Sequence, residues 1–320
     1  MNILITGAAG FIGGFLTKWA LAEGAHVLGI GLTEPEDGLA GASFERCDVR
    51  DAEALSRLVA EFRPDRVFHL AAQSFPTVSL AQPRETMEIN ANGTINLFES
   101  LRAAGIAPVV VVACSSAEYG LVRAENLPVR EDHPLRPLHP YGVSKVAQDL
   151  LALQYFANYQ LPAIRVRIFN TTGPSKVGDV CSDLARRVVE IESGRRPPVL
   201  QAGNLTTRRA LVDVRDMVAA LWLAAEAGEP GEVYNVGGSQ IYSVQEIIDA
   251  IRRQSGVEFA VEQDPRLMRA CDEPVIAGDT TKFRLRTQWK PSIPLGQTLN
   301  DMLAWWRARL TGDAPIGSGS

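Results

Sequence analysis

The sequence predicts an α/β protein: a doubly wound parallel sheet with a smaller C-terminal α/β domain set against it. Three observations point there. Short apolar runs alternate with helical periods from Asn2 to Phe169, the pattern of right-handed strand–helix–strand crossovers. The glycine-spaced turn "GAAGFIG" joins the first run to the first helix. After Phe169 the rhythm breaks into shorter segments and proline-rich loops such as "SGRRPPVLQAGNL", as expected where a second unit caps the sheet.

In order, "NILIT" is the first strand and "FIGGFLTKWALAEG" a helix ending at Gly24. "HVLGIG" and "SFERC" are the second and third strands. "DAEALSRLVAEF" is a helix capped by Asp51, whose carboxylate can accept from the free N–H groups of the first turn. "RVFHLAA" is the fourth strand, and one long helix is expected through "ETMEINANGTINLFESLRAAG" to Gly105. "PVVVVACSS" reads as a fully buried fifth strand. "PYGVSKVAQDLLALQYFANYQ" is a helix opened by Pro140, and "PAIRVRIFN" is the sixth strand. The expected organisation is a dinucleotide-binding unit over 1–169 and a mainly substrate-binding unit over 170–310. Some segments of the latter return to the first unit, and 311–320 form a loose tail.

Composition narrows the class. The chain has 320 residues, 46% hydrophobic and 22% charged, as in ordinary soluble globular proteins. A formal charge of −5 argues against a nucleic-acid partner. No apolar run approaches the roughly 20 residues that span a bilayer, so no membrane partner is expected. The N-terminus lacks a basic region ahead of a cleavable apolar segment, so a cytoplasmic protein without a signal peptide is expected. Cys47, Cys114, Cys181 and Cys271 show no ligand-like spacing; they read as reduced thiols, with no metal site.

In "GAAGFIG" the three glycines have separate duties. Gly7 allows the tight turn, Gly10 lets backbone approach a pyrophosphate, and Gly13 permits close helix packing. This is a Rossmann fingerprint, with the phosphates over the helix N-terminus. The end of the second strand should choose between NAD and NADP. There the chain has Gly31, Leu32, Thr33 and Glu34, with Gly31 where a ribose-binding carboxylate would stand. The expected cofactor is NADP, NADPH ahead of NADH, with NAD as the alternative. "CDVRD" offers Asp48 and Val49 as an adenine clamp, and "HLAAQSF" places Ala71 and Ala72 where only small side chains let a cofactor pass. For each, a plain turn or packing role stays open.

"YGVSK" puts Tyr141 and Lys145 four apart on one helical face. A phenol of ordinary pKa near 10 is a poor proton donor–acceptor at neutral pH. An adjacent ammonium favours the phenolate and lowers that value, as does a neighbouring nicotinamide cation. Ser115, leaving the fifth strand, can hydrogen-bond a substrate oxygen. Together the three suit proton transfer at a carbonyl as hydride arrives or leaves.

These motifs, with "DVRD", "NANGT", "SSAEYG" and "FNTTGP" in this order, resemble the extended short-chain dehydrogenase/reductases that act on nucleotide sugars, from Met1 to about Arg307. The resemblance implies Ser115, Tyr141 and Lys145 as a catalytic triad. It implies a cofactor site of Gly7, Gly10, Phe11, Ile12, Gly13, Thr33, Asp48, Val49, Leu70, Ala71, Ala72, Gln73 and Asn90 with Tyr141 and Lys145. "GNLTTRRALVDVRD" and "DPRLMRACDEPVIAGDTTKFRLRTQWKPSIP" resemble segments shared by GDP-mannose 4,6-dehydratases and GDP-4-keto-6-deoxy-mannose reductases. They imply a nucleotide-diphosphate sugar, GDP-linked, held by Gln73, Ser115, Ser116, Asn170, Asn204, Arg209 and Arg269. Guanidinium forks suit a pyrophosphate. Ala210 and Ala270 depart from the usual pattern, replacing an acidic residue and a proline. Relatives pair through the helices at Asn92–Ala104 and Tyr141–Tyr155, so a homodimer is expected.

Ala117 discriminates among the reactions. In the dehydratases a glutamate two residues beyond the catalytic hydroxyl removes the C5 proton. A methyl group cannot. Glu118 is one residue further and would point to the opposite face of a continuing strand, unless a loop re-aims it. The expected reaction is reduction of a GDP-4-keto-6-deoxyhexose at C4, giving GDP-rhamnose. The alternatives are a nucleotide-sugar 4-epimerase, a 4,6-dehydratase using another carboxylate, and a non-catalytic dinucleotide sensor. The sensor has no need of hydroxyl, phenol and ammonium together.

Overall fold

In the computed structural model, residues 1–34, 40–268 and 274–311 are described. The first half alternates as the periodicity predicts: β1 (Asn2–Thr6), α1 (Phe11–Ala22), β2 (His26–Gly31), β3 (Ser43–Arg46), α2 (Ala52–Phe62) and β4 (Arg66–His69). Asp51 caps α2 by accepting from the Ala54 N–H at 3.0 Å. Then come α3 (Pro76–Ala81), α4 (Pro83–Met87), α5 (Gly93–Ala103), β5 (Val109–Ser115), α6 (Pro140–Tyr159) and β6 (Ala163–Ile168).

One expectation is corrected here. β4 stops at His69 because Leu70 N–H still bonds Thr6 while Ala71 N–H turns to the Thr6 hydroxyl at 3.0 Å. The chain thus leaves the sheet before Ala71 and Ala72. The expected long helix is present, and its helical backbone runs unbroken from Pro83 to Ala103. Pro83, which has no N–H to donate, starts α4, and a wide π-helical turn over Glu88–Asn92 joins it to α5.

The remainder adds β7 (Thr171–Thr172), α7 (Val180–Glu192), β8 (Val199–Ala202), β9 (Arg208–Ala210), β10 (Val212–Asp213) and α8 (Val214–Ala227). It continues with β11 (Val233–Val236), β12 (Ile241–Ser243), α9 (Val244–Ser255), β13 (Ala260–Gln263), β14 (Val275–Ile276), α10 (Thr281–Thr287) and α11 (Leu295–Thr311). The main sheet runs β11-β6-β5-β4-β1-β2-β3, and every pairing in it is parallel. Its seventh strand therefore comes from residues 233–236, joined to β6 through Val233↔Arg165 and its neighbours.

Helices cover both faces. One buried cluster gathers Ile3, Ile5 and Val166 with Met217 and Leu221 of α8. On the other face Leu4, Val110 and Val112 meet Leu55 of α2, Leu97 and Phe98 of α5, and Tyr155 of α6. Both faces being buried explains the near-continuous apolar run of β5. A separate buried cluster lies under α7, α9 and α11 and includes Leu184, Ile247 and Leu303. Residues at the C-terminal ends of the sheet strands share a cavity with residues of α7, and such strand ends are where doubly wound folds place ligands.

Candidate active site

A cavity of about 790 Å³ opens between the strand ends and the segment formed by α7, β8 and β9. Its floor is the glycine turn. Gly7 has φ +72°, which L side chains rarely adopt, and a Cβ there would lie 2.9 Å from Ala71 N. A Cβ on Gly13 would lie 2.1 Å from the Gly7 carbonyl oxygen, so α1 can approach the turn only with hydrogen at that place. Gly7, Gly10, Phe11, Ile12 and Gly13 all line the cavity, with Leu70, Ala71 and Ala72 beside them. This bare, amide-rich turn fits a dinucleotide's phosphates.

Beneath it, His69 is fully buried between two threonines. Thr94 Oγ1 donates to Asn90 O at 2.6 Å and so accepts from His69 Nε2 at 3.0 Å. The opposite ring nitrogen faces Thr6 Oγ1 at 2.8 Å. Burial lowers its pKa to about 3, so a neutral imidazole ties β1 to α5.

Ser115, Tyr141 and Lys145 meet at the middle of the cavity. β5 delivers Ser115, and α6 presents the other two from its first turns. The Ser115 hydroxyl oxygen accepts from Ala117 N–H at 3.2 Å, which leaves its own proton free to donate. Lys145 lies with its ammonium 5.9 Å from the Tyr141 ring centre. It donates to Ala113 O at 2.9 Å and to Gln148 Oε1 at 2.8 Å. An ammonium has three N–H groups, so one remains.

The electrostatics correct an expectation. Tyr141 is not lowered: desolvation pushes it up to about 12, against a hydrogen-bonding contribution from Ser115 that lowers it. Lys145 is itself lowered by burial to about 8. Burial works against the charged form of both groups, yet near neutrality Tyr141 stays a phenol and Lys145 stays largely an ammonium.

Glu118 is re-aimed, but inward. The chain after Ser115 forms a 3₁₀ turn, Ser116–Glu118, in which Glu118 Oε1 accepts from the Ser115 N–H at 2.7 Å. Its other oxygen lies 3.1 Å from Arg167 Nε, which also meets Asp149 Oδ2 at 2.9 Å. Cys114, Glu118 and Asp149 converge closely enough for a metal, but the Arg167 guanidinium supplies the positive charge at that point. Desolvation and Asp149 raise the Glu118 pKa. Ser116 lines the cavity; Ala117 and Glu118 do not.

The other expected residues divide into groups. Asn170, Asn204 and Arg209 line the cavity near Ser116 and α7, and Asn170 Nδ2 is buried without a hydrogen-bond partner. Asn90 and Gln73 stand one layer back. Asn90 Oδ1 accepts from Gln73 N–H at 2.8 Å, and its amide nitrogen donates to Gln73 O and to Ser144 Oγ. Gln73 Nε2 donates to Thr86 Oγ1 at 3.0 Å. Both shape the wall. Thr33, Asp48 and Val49 lie outside the cavity lining, toward the far ends of β2 and β3. Asp48 is paired with Arg50 at 2.6 Å, and Val49 is 5% exposed. Arg269 lies outside the described residues.

Gln148, Lys176 and Arg187 escape the sequence reading. Only Gln148 has a local signal: it is three residues beyond Lys145 on the same helix, within reach of it. Lys176 and Arg187 line the cavity through loop and tertiary placement.

Known proteins are similar to this chain in sequence and in fold. A GDP-6-deoxy-D-mannose reductase from Pseudomonas aeruginosa is 31% identical over 97% of this chain and 98% of its own. A solved structure titled as RMD from Pseudomonas aeruginosa complexed with NADPH superposes with a TM-score of 0.85, at 29% identity over 96% of this chain and 99% of that one. The NAD complex of a Thermus thermophilus UDP-glucose 4-epimerase has a TM-score of 0.86 and 30% identity, covering 96% and 99%. Fold and site together define an NAD(P)-dependent, nucleotide-sugar-modifying enzyme of the extended short-chain dehydrogenase/reductase class. The chain belongs to the GDP-mannose 4,6 dehydratase family, whose model matches residues 4–302.

Proposed function

We propose that the protein reduces the C4 ketone of a GDP-4-keto-6-deoxyhexose, of the GDP-4-keto-6-deoxy-D-mannose to GDP-D-rhamnose type, using NADPH. The observation that carries this reading is the turn after β5. Ala117 stands where a dehydratase needs its base, and Glu118 is consumed by Ser115 N–H and Arg167 beneath the site. The similarity to the reductase supports it.

In this reading Gly7, Gly10, Phe11, Ile12 and Gly13 hold the dinucleotide, with Ala71 and Ala72 below it. When bound, the reduced nicotinamide supplies the hydride that reaches C4. Tyr141, protonated at neutral pH, gives its phenolic proton to the C4 oxygen. Ser115 donates a hydrogen bond to that oxygen and orients it. The free N–H of Lys145 turns to the ribose. Raised toward 12 by burial, Tyr141 keeps its proton at neutral pH and so has one to give. Asn170 offers its unpartnered amide to the sugar, while Asn204, Arg209 and Arg187 line the path of the nucleotide diphosphate.

NADPH over NADH is supported at the end of β2. Gly31 presents no carboxylate, and Arg46 stands in register with it across the β2–β3 pair, exposed and unpaired among the described residues. The second reading, a 4-epimerase, is favoured by the similarity to the UDP-glucose 4-epimerase. We also propose a homodimer through α5 and α6, where Val143 and Leu150 stand exposed seven residues apart. A cytoplasmic setting suits Cys47, Cys114 and Cys181, all unpaired.

The test is a panel of GDP-, UDP-, dTDP- and CDP-linked 4-keto sugars with NADPH and with NADH. Oxidation of NADPH by the GDP-linked ketone alone is expected. Turnover of UDP-glucose without added nicotinamide, with NAD retained through purification, would replace the reductase with the epimerase.

A further inference from the structure

Among the described residues, Lys176 is a cation with no hydrogen-bonded or ion-paired anion. It lies in the loop between β7 and α7, after Ser175, whose φ of +67° is one that non-glycine residues seldom adopt. The loop lines the cavity. The ammonium lies 4.8 Å from the centre of the Phe11 ring, and Phe11 is the first residue of α1, directly after the glycine turn. Among the described residues the ammonium makes no hydrogen bond and no ion pair. Asp179 exerts an attraction on it, yet its carboxylate is engaged as the cap of α7, accepting from Ser182 N–H at 2.7 Å. Burial accordingly lowers the amine's pKa. A sparsely hydrated ammonium resting on an aromatic face is weakly compensated there.

We propose that Lys176 is the counter-ion of the dinucleotide's diphosphate, reaching it from its place on Phe11 beside the N-terminus of α1. This rests on the reading of the glycine-lined cleft as the dinucleotide site. The alternative diphosphate, that of the nucleotide sugar, is less well placed to receive it. The arginines that could serve that group, Arg187 and Arg209, line the part of the cavity formed by α7, β8 and β9, whereas Lys176 stacks on Phe11 beside the glycine turn. A lysine acts here as a compact point charge that can lift off the ring toward a phosphate oxygen.

Equilibrium binding tests this, by calorimetry with NADPH, NADH and GDP titrated separately into the full-length protein. Lys176→Ala should weaken NADPH and NADH alike by roughly tenfold or more and leave GDP unchanged. Lys176→Arg should restore most of the affinity. Lys176→Met, which keeps the stem over Phe11, reports the same loss should the alanine variant fold poorly. Unaltered dinucleotide affinity in the alanine and methionine variants overturns the proposal. So does a loss confined to GDP, or one confined to NADPH, which would assign the lysine to the 2′-phosphate. A wild-type protein that binds neither dinucleotide overturns the cofactor reading itself, a result distinct from all of these.

Discussion

Lys145 and Gln148 form a buried pair in which the ammonium donates to the amide oxygen at 2.8 Å. The lysine fixes the orientation of that amide, because an ammonium can only donate. Gln148 Nε2 is left buried without a partner, so the amide is held at a local cost, and Lys145 is what it serves.

A pH profile should expose the pair. In the proposed reaction the protonated Lys145 is the working form, and its pKa is lowered to about 8. Cofactor kcat/KM should therefore be constant near neutrality and fall as pH rises through about 8. Gln148→Glu places a carboxylate beside the ammonium and should carry that falling limb to higher pH. Gln148→Leu removes the acceptor and should bring it lower. A limb that stays in place in both variants would divorce it from Lys145.

Tyr141→Phe should cost on the order of 10²- to 10⁴-fold in kcat, the usual value of a positioned proton donor, with cofactor affinity kept. Single-turnover hydride transfer checks it, since a defect in release would leave that rate unchanged.

Lys145→Met separates stability from activity. A base whose folded pKa is lowered leaves the native state with fewer protons than the unfolded one between about 8 and its ordinary 10.5. Stability from this group thus rises with pH across that window. Urea unfolding of the wild type should show this extra rise relative to the methionine variant, which should be inactive and at least as stable at pH 7.

Asp149 is the anion for two buried guanidiniums, Arg165 at 2.7 Å and Arg167 at 2.9 Å. Asp149→Asn should destabilise by about 3–5 kcal/mol, the cost of leaving buried charge unpaired, read as a lower denaturant midpoint. An unchanged midpoint would mean that Glu118 alone balances both.

Arg46→Ala should lower affinity for NADPH and spare NADH, narrowing the preference between them. Equal effects on both would place the 2′-phosphate elsewhere.

Much of this site was legible because its signals are local. The glycine turn, the Asp51 cap and the four-residue step from Tyr141 to Lys145 are each written within one element. What escaped depends on partners far away in sequence. Glu118 faces inward because Arg167, 49 positions on, draws it beneath the site. The π-helical turn at Glu88–Asn92 has no periodic signature, and "EVYNV" is too short to advertise that it pairs with β6. Spacing alone suggests that the ammonium lowers Tyr141. Burial of both groups, which spacing does not encode, reverses the sign.

The return of β11 to the edge of the main sheet has a consequence for engineering. Residues 1–169 cannot be lifted out as a self-sufficient cassette. Such a fragment would bare the outer backbone of β6, where Arg165 N–H bonds Glu232 O, and strip α8 from the apolar face it covers. Grafting a new sugar specificity onto this scaffold therefore means transplanting loops around a chain that crosses between its halves, with α8 and β11 left where they are.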